Sequence, residues 1–306
     1  MNFLKLKYSN SNLFPFLLLL IQPIFMASNL VVARGGIEYV PPISLSFWRW
    51  LLVFFILLLF NFFYLKRNYL IIKKEYKKLL FLGLMGCGVC SIFPYVAGET
   101  TTIVNMGIIY TSSPIFIILI SNFLFKEKIN TFMLLGLVSC LIGVLIIITK
   151  GNLVYLLNLE FTSGDLWMLG AAIGWALYSV FLFRWKSNLN VFPRFTMISF
   201  FGALSMLPFY LIEQNFFQTT EFNSDFYFWV IFAAISPGIV AFSLYTITQK
   251  HLGASTTGFT LYLFTVYGAF YGIIFFGETL QNFHYTGAIL VFIGIYLVKK
   301  KINEIK

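Results

Sequence analysis

Few side chains in this sequence can do chemistry, and the spacing of the two most prominent acids is informative. Glu127 stands in Phe125-Lys126-Glu127-Lys128-Ile129-Asn130-Thr131-Phe132, and Glu278 stands in Phe276-Gly277-Glu278-Thr279-Leu280-Gln281-Asn282-Phe283, 151 positions later. Two adjacent carboxylates would suggest acid-base work. Each of these acids instead occupies a short polar turn ahead of an apolar run, where a carboxylate favours the start of a helix. Both are therefore read as structural turns. Cys87-x-x-Cys90 has the spacing of a metal or redox site but lacks a second ligand pair and polar flanks, so these thiols and Cys140 are read as small apolar side chains. His251 and His284 are the only histidines, too few for a catalytic cluster, and no G-x-x-x-x-G-K-[ST] loop is present for nucleotide hydrolysis. The expectation is a non-enzyme with no catalytic residue, no metal and no cofactor.

Three further positions are candidates for gating or coupling. Arg49 opens an apolar run, where its stem can snorkel to headgroups; the sharper readings are a gate or a contact to a substrate carboxylate. Glu99 precedes Thr100, Thr101 and Thr102. It is read either as a solvated helix cap or as a group that binds a proton or a substrate amine. Pro114, with Pro23, Pro94, Pro208 and Pro237, interrupts an apolar run and removes a helical hydrogen bond, which a moving helix can use as a hinge.

The elements that must hold these residues follow from a repeat. Gly136, Ile142 and Gly143 match Gly287, Ile293 and Gly294 at the same displacement of 151 as the two glutamates. Upstream, Arg34, Gly88 and Tyr95 match Arg184, Gly238 and Tyr245 at 150. Hydrophobic residues make up 59% of the chain and charged residues 10%, too little polar surface to enclose the chain in water. Ten apolar runs read as spanning helices: 13–32, 43–65, 79–98, 102–124, 129–149, 165–183, 193–212, 226–248, 255–276 and 283–298.

The predicted fold class is an all-α integral membrane protein of ten transmembrane helices in two inverted five-helix repeats. Its predicted parts are a cytoplasmic segment over 1–12, a first repeat over 13–150, an external linker over 151–164, a second repeat over 165–299 and a cytoplasmic basic tail over 300–306. With the N-terminus inside, all of the 21 Lys and Arg except Arg34, Arg49 and Lys150 fall on the cytoplasmic side. The net charge of +10 is thus a topology signal, and no nucleic acid is needed to explain it. The basic loop over 66–78 is the largest part of that signal. Because five is odd, the halves enter the bilayer from opposite sides, a common plan for secondary transporters.

Several short motifs, in this order, resemble a known family. They are Phe25-Met26-Ala27-Ser28-Asn29, Phe47-Trp48-Arg49, Ser113-Pro114, the Glu127 turn, Gly174-Trp175-Ala176-Leu177-Tyr178-Ser179 and the Glu278 turn. The chain resembles the drug/metabolite transporter superfamily, specifically transporters with two EamA-type domains, over nearly its full length. That resemblance implies a cavity walled by helices 1, 3, 4, 6, 8 and 9. The polar and aromatic residues inside those helices are Gln22, Asn29, Tyr95, Asn105, Ser113, Trp175, Tyr178, Tyr245, Thr257, Tyr262 and Tyr267. Polar groups facing lipid go unsatisfied, so these face the cavity or a neighbouring helix.

The expected function is transport of a small organic metabolite by alternating access across a bacterial inner membrane, with both termini cytoplasmic. The resemblance implies an amino acid or related compound, with export the leading direction; the energy is expected from the substrate's own gradient or from coupled protons. The expected partners are that substrate and the lipid bilayer. The spacings Gly170-x-x-x-Gly174 and Gly268-x-x-x-Gly272 are assigned to packing within the chain, which leaves a monomer or a weak homodimer. A receptor or scaffold without transport, or an integral-membrane enzyme, are the competing classes.

Overall fold

A chain this apolar must satisfy its backbone within each spanning segment, and helices do so. The computed structural model describes residues 13–304 apart from Glu99, Thr102, Leu159, Glu160, Glu278 and Leu280, and no strand occurs among the described residues. The first half consists of α1 (Leu13–Val31), α2 (Pro42–Arg67), α3 (Tyr69–Gly83), α4 (Cys90–Gly98), α5 (Ile103–Tyr110), α6 (Ser113–Phe125) and α7 (Thr131–Ile148). The second half consists of α8 (Ser163–Arg184), α9 (Val191–Phe216), α10 (Ser224–Ala233), α11 (Ala241–Gly258), α12 (Thr260–Phe276) and α13 (Asn282–Glu304). A π-helical segment, Leu84–Val89, joins α3 to α4, and another, Ala234–Val240, joins α10 to α11. With α5 and α6 also counted together, these make ten spans. Eight are long and apolar enough to cross a bilayer, and Thr260–Phe275 and Asn282–Val298 are shorter apolar helices.

Local chemistry sets the ends. Asn130 and Asn223 cap α7 and α10 by accepting from the N–H groups of Met133 and Phe226, and Thr162 with Asp165 forms a capping box on α8. Lys126 and Gly277, 151 positions apart, end α6 and α12 in the left-handed conformation, with φ of 53° and 66°. At Gly253 φ is 80° and ψ is 169°, a region that only glycine enters readily, and this bend separates the eighth span from the ninth.

The repeat is visible as packing. A Cβ on Gly136 would stand 2.7 Å from the Gly294 carbonyl oxygen, and one on Gly143 would stand 2.5 Å from that of Gly287. The Ser139 hydroxyl donates to the Leu290 carbonyl at 2.8 Å. One index rises as the other falls, so α7 and α13 are antiparallel, and each contact maps onto itself or its partner when the halves are exchanged. A two-fold axis therefore crosses this helix pair between residues 139 and 140. The pair α2 and α9 behaves alike: Ile43 and Ser44 meet Glu213, whereas Asn61 meets Thr196. Of the three π segments among the described residues, Val32–Gly36, Leu84–Val89 and Ala234–Val240, the last two begin 150 positions apart, so that irregularity is repeated.

Three expectations are corrected. The basic stretch over 66–78 is not a loop. Only Asn68 interrupts the helices there, and Lys73, Lys74, Lys77 and Lys78 ride exposed on α3. The run over 102–124 is not one helix but breaks after Tyr110. Pro114 lacks an N–H, and the hydroxyls of Thr111, Ser112 and Ser113 donate to the carbonyls of Ile108, Ile109 and Tyr110. Finally, the cap of α7 is Asn130 and not Glu127, which pairs with Arg184 at 2.8 Å.

Candidate functional site

Arg49 lies two turns inside α2 and turns into the protein rather than toward headgroups, being only 7% exposed. Its guanidinium donates to Asn29 Oδ1 on α1 at 2.6 Å and to Ser91 Oγ on α4 at 2.9 Å. The fork geometry of arginine allows both bonds at once. Trp50 donates its indole N–H to the same Ser91 oxygen at 3.1 Å, and the Arg49 charge sits 5.1 Å from the Trp50 ring. Three spans are thereby tied together at the end of the bundle where α2 starts. The snorkelling reading of Arg49 is corrected by this geometry.

A second tie stands near the other end. Ser179 Oγ on α8 and Tyr245 Oη on α11 are 2.6 Å apart, and the Gln249 amide donates to Ser179 Oγ at 2.7 Å and to its carbonyl at 2.9 Å. Ser179 is the repeat equivalent of Asn29, and Tyr245 that of Tyr95, each at a displacement of 150. Both ties therefore join the first span of a half to its third, through Asn29 in one half and its repeat equivalent Ser179 in the other, while their remaining partners differ.

Aromatic side chains fill the space between. Phe242 lies 4.8 Å from Trp50, 5.7 Å from Trp175 and 5.8 Å from Tyr178, ring centre to ring centre, and Trp175 lies 5.2 Å from Tyr245. All these side chains are buried. Gln22 on α1 borders the layer, its amide 3.3 Å from the Ala241 carbonyl and 3.3 Å from Met26 Sδ. Three buried polar atoms here, Gln22 Oε1, Tyr178 Oη and Gln249 Oε1, have no hydrogen-bond partner among the described residues. Such groups are costly in a protein interior unless something else binds them.

The structure gathers Gln22, Asn29, Arg49, Trp175, Tyr178 and Tyr245 and leaves other candidates apart. Ser113 donates to the Tyr110 carbonyl at the end of α5, Thr257 donates to the Gly253 carbonyl at 2.8 Å, and Tyr262 is buried with Phe259 in a second core that Tyr267 borders. Pro114 begins α6. Glu99 and Glu278 lie outside the described residues, as do the side chains of Tyr95 and Asn105. Sequence reasoning missed Ser91, Gln249, Trp50 and Phe242 as members of the site. It also missed Glu213, whose buried carboxylate accepts from the N–H groups of Ile43 and Ser44 at 2.9 and 2.7 Å. Repeat arithmetic could have found Gln249, since it stands 150 positions after Glu99.

These halves match known proteins. The model of the EamA-like transporter family matches residues 13–149 and again residues 162–299. The chain belongs to the EamA-like transporter family. Among relatives of this EamA-like protein is the uncharacterized transporter YyaM of Bacillus subtilis, 23% identical over 92% of each chain. Another is the uncharacterized transporter YetK of the same organism, 26% identical over 90% of this chain and 84% of YetK. An uncharacterized transporter of Archaeoglobus fulgidus is 24% identical over 94% of this chain and 98% of its own. A solved crystal structure superposes with a TM-score of 0.77 at 17% identity, covering 97% of this chain and all of the other, which is a likeness of fold. Membership makes this a multi-pass membrane protein of a transporter family, with the bilayer as its surroundings and a small molecule as its expected cargo.

Proposed function

We propose that this EamA-like protein is a secondary transporter that moves a small organic metabolite by alternating access, an amino acid or related compound being the leading substrate class. The observation that carries the reading is the pair of ties, built on the repeat equivalents Asn29 and Ser179, at opposite ends of one buried aromatic layer. Loosening the Arg49–Asn29–Ser91 tie while Tyr245–Ser179–Gln249 holds would open the layer to one side; the reverse would open it to the other. Two similar halves make these states close in energy. The orphaned polar atoms of Gln22 and Tyr178 supply an acceptor and a donor for a substrate, and the surrounding rings suit an uncharged, zwitterionic or amphipathic body. Export and an inner-membrane location with both termini cytoplasmic are the directional parts of this proposal. They are supported by the family likeness and by the placement of the basic residues. Glu99, the repeat equivalent of Gln249, is the candidate for proton coupling.

Flux in proteoliposomes loaded with a metabolite mixture, read by mass spectrometry with and without a pH gradient, tests the proposal. Selective movement of one compound is expected, and Tyr178→Phe should reduce it without unfolding the chain. If the gradient accelerates flux, Glu99→Gln should abolish the acceleration while leaving downhill exchange. Saturable binding of a compound with no flux in either condition would favour a receptor instead.

A further inference from the structure

Along the outside of the α2–α9 pair runs a cleft of about 220 Å³ that shares no lining residue with the aromatic layer. Phe54, Leu58 and Phe62 of α2 and Met197 and Phe200 of α9 form its apolar walls, and Lys66 stands at its end. Phe54, Leu58, Phe62 and Lys66 follow one another at helical spacing of four. From Phe54 to Lys66 a helix rises about 18 Å. One leaflet of the hydrocarbon core is about 15 Å thick. Phe54 lies near the middle of the 26-residue helix α2, so the cleft runs from mid-bilayer to the headgroup level of one leaflet.

At that level the charge is of one sign. Lys66 and its neighbour Arg67 are exposed, and the nearby start of α3 exposes Lys73 and Lys74. The two-fold axis provides an internal control. The opposite end of the same helix pair is reached at Asn215 and Phe216 of α9 and Phe217 just after it, which stand in place of a cation. There the charged group is the acid Glu213, used up in capping α2. An apolar, acyl-sized cleft carrying cations at one end only is not a by-product of the repeat.

We propose that this cleft holds an anionic phospholipid, with one acyl chain between α2 and α9 and the headgroup phosphate against Lys66 and Arg67. The site stands independently of the transport proposal, because none of its walls belongs to the aromatic layer. Cations near an anionic headgroup add roughly a factor of five in affinity each, so removing two should weaken retention by roughly thirtyfold.

The test is native mass spectrometry of the full chain equilibrated with mixed micelles of phosphatidylglycerol and phosphatidylcholine of matched acyl chains. Preferential retention of phosphatidylglycerol at about one per chain is expected. Lys66→Ala with Arg67→Ala should lose that preference, and Leu58→Trp, which fills the cleft and leaves the cations, should lose the lipid altogether. Lys77→Ala with Lys78→Ala should retain it. Equal retention of the two lipids by the unaltered chain, or unchanged retention in the Lys66 and Arg67 double variant, would overturn the proposal. Displacement of the lipid by water-soluble glycerophosphate would also overturn it, by showing that the acyl chain contributes nothing. Should Leu58→Trp fail to elute as a single species, the double variant and the competitor decide the matter between them.

Discussion

The Arg49 guanidinium holds α1, α2 and α4 together with two hydrogen bonds, one to Asn29 and one to Ser91. An arginine in an apolar run is visible at once, but α2 is apolar on every side around it, so no periodicity says which way the guanidinium points. Packing decides, by bringing Asn29 and Ser91 within reach. Lysine keeps the charge but lacks the fork that makes both bonds. Arg49→Lys is therefore expected to lower initial flux in proteoliposomes at least about tenfold while leaving expression and elution unchanged. Full activity in that variant would remove Arg49 from the gate. Gly253 makes a second prediction at this scale. No side chain crowds a Cβ there, the nearest atom being Phe183 Cζ at 3.8 Å, so Gly253→Ala meets backbone strain alone. The expected cost is about 1–3 kcal/mol, read as a lower thermal midpoint in detergent. A third concerns Glu213, which the sequence did not single out because an acid near a helix end looks solvated. Glu213→Ala removes the carboxylate that caps α2 and should cost about 2 kcal/mol in the same measurement.

At the scale of elements, the spans were legible because runs of about twenty apolar residues have few alternatives to a membrane helix. What escaped was of two kinds. The first turns of α3 carry Lys73, Lys74, Lys77 and Lys78 and project beyond the apolar region, so they read as a loop although the backbone stays helical. The helix breaks at Thr111 and Ser112 and the π segments at Leu84–Val89 and Ala234–Val240 leave no mark in hydropathy at all. They depend on hydroxyl donors and on which neighbouring backbone approaches. The glycines of α7 and α13, by contrast, were flagged by the repeat, and their role is now specific: each admits a carbonyl of the other helix. A leucine in place of Gly294 would drive into the Gly136 carbonyl, 2.6 Å from an ideal Cβ. Gly294→Leu is expected to destabilise the fold by about 1–3 kcal/mol, whereas Ile293→Leu on the exposed side should be neutral. Thermal unfolding of the two variants side by side checks this.

For the whole molecule, the relation between the halves was the most secure reading and the site the least. Two glutamate turns and their following glycines sufficed to predict an inverted pair, because a repeat of five spans leaves no other topology. The residues of the site could be proposed only as a long set. Depth along a helix is legible, but facing is not, when both lipid and core are apolar. Single cysteines introduced at Lys128, Lys186 and Lys150, in a chain whose own three cysteines are replaced by serine or alanine, test the topology. Lys128→Cys and Lys186→Cys should label from one side of right-side-out vesicles and Lys150→Cys from the other. Labelling of all three from one side would refute the ten-span arrangement.

The crossing of α7 with α13 has a consequence for ancestry and assembly. Its glycine-to-carbonyl contacts join each glycine to the neighbour seven residues from its own repeat equivalent, and Ser139 bonds its own equivalent, as in two identical chains related by a dyad. A single five-helix unit, inserted in both orientations in one membrane, would present the same surface to its upside-down copy. The covalent link over residues 149–162 is then a convenience of synthesis more than a requirement of the interface. The two halves, expressed as separate polypeptides cut within that link, are expected to find each other in the bilayer and copurify.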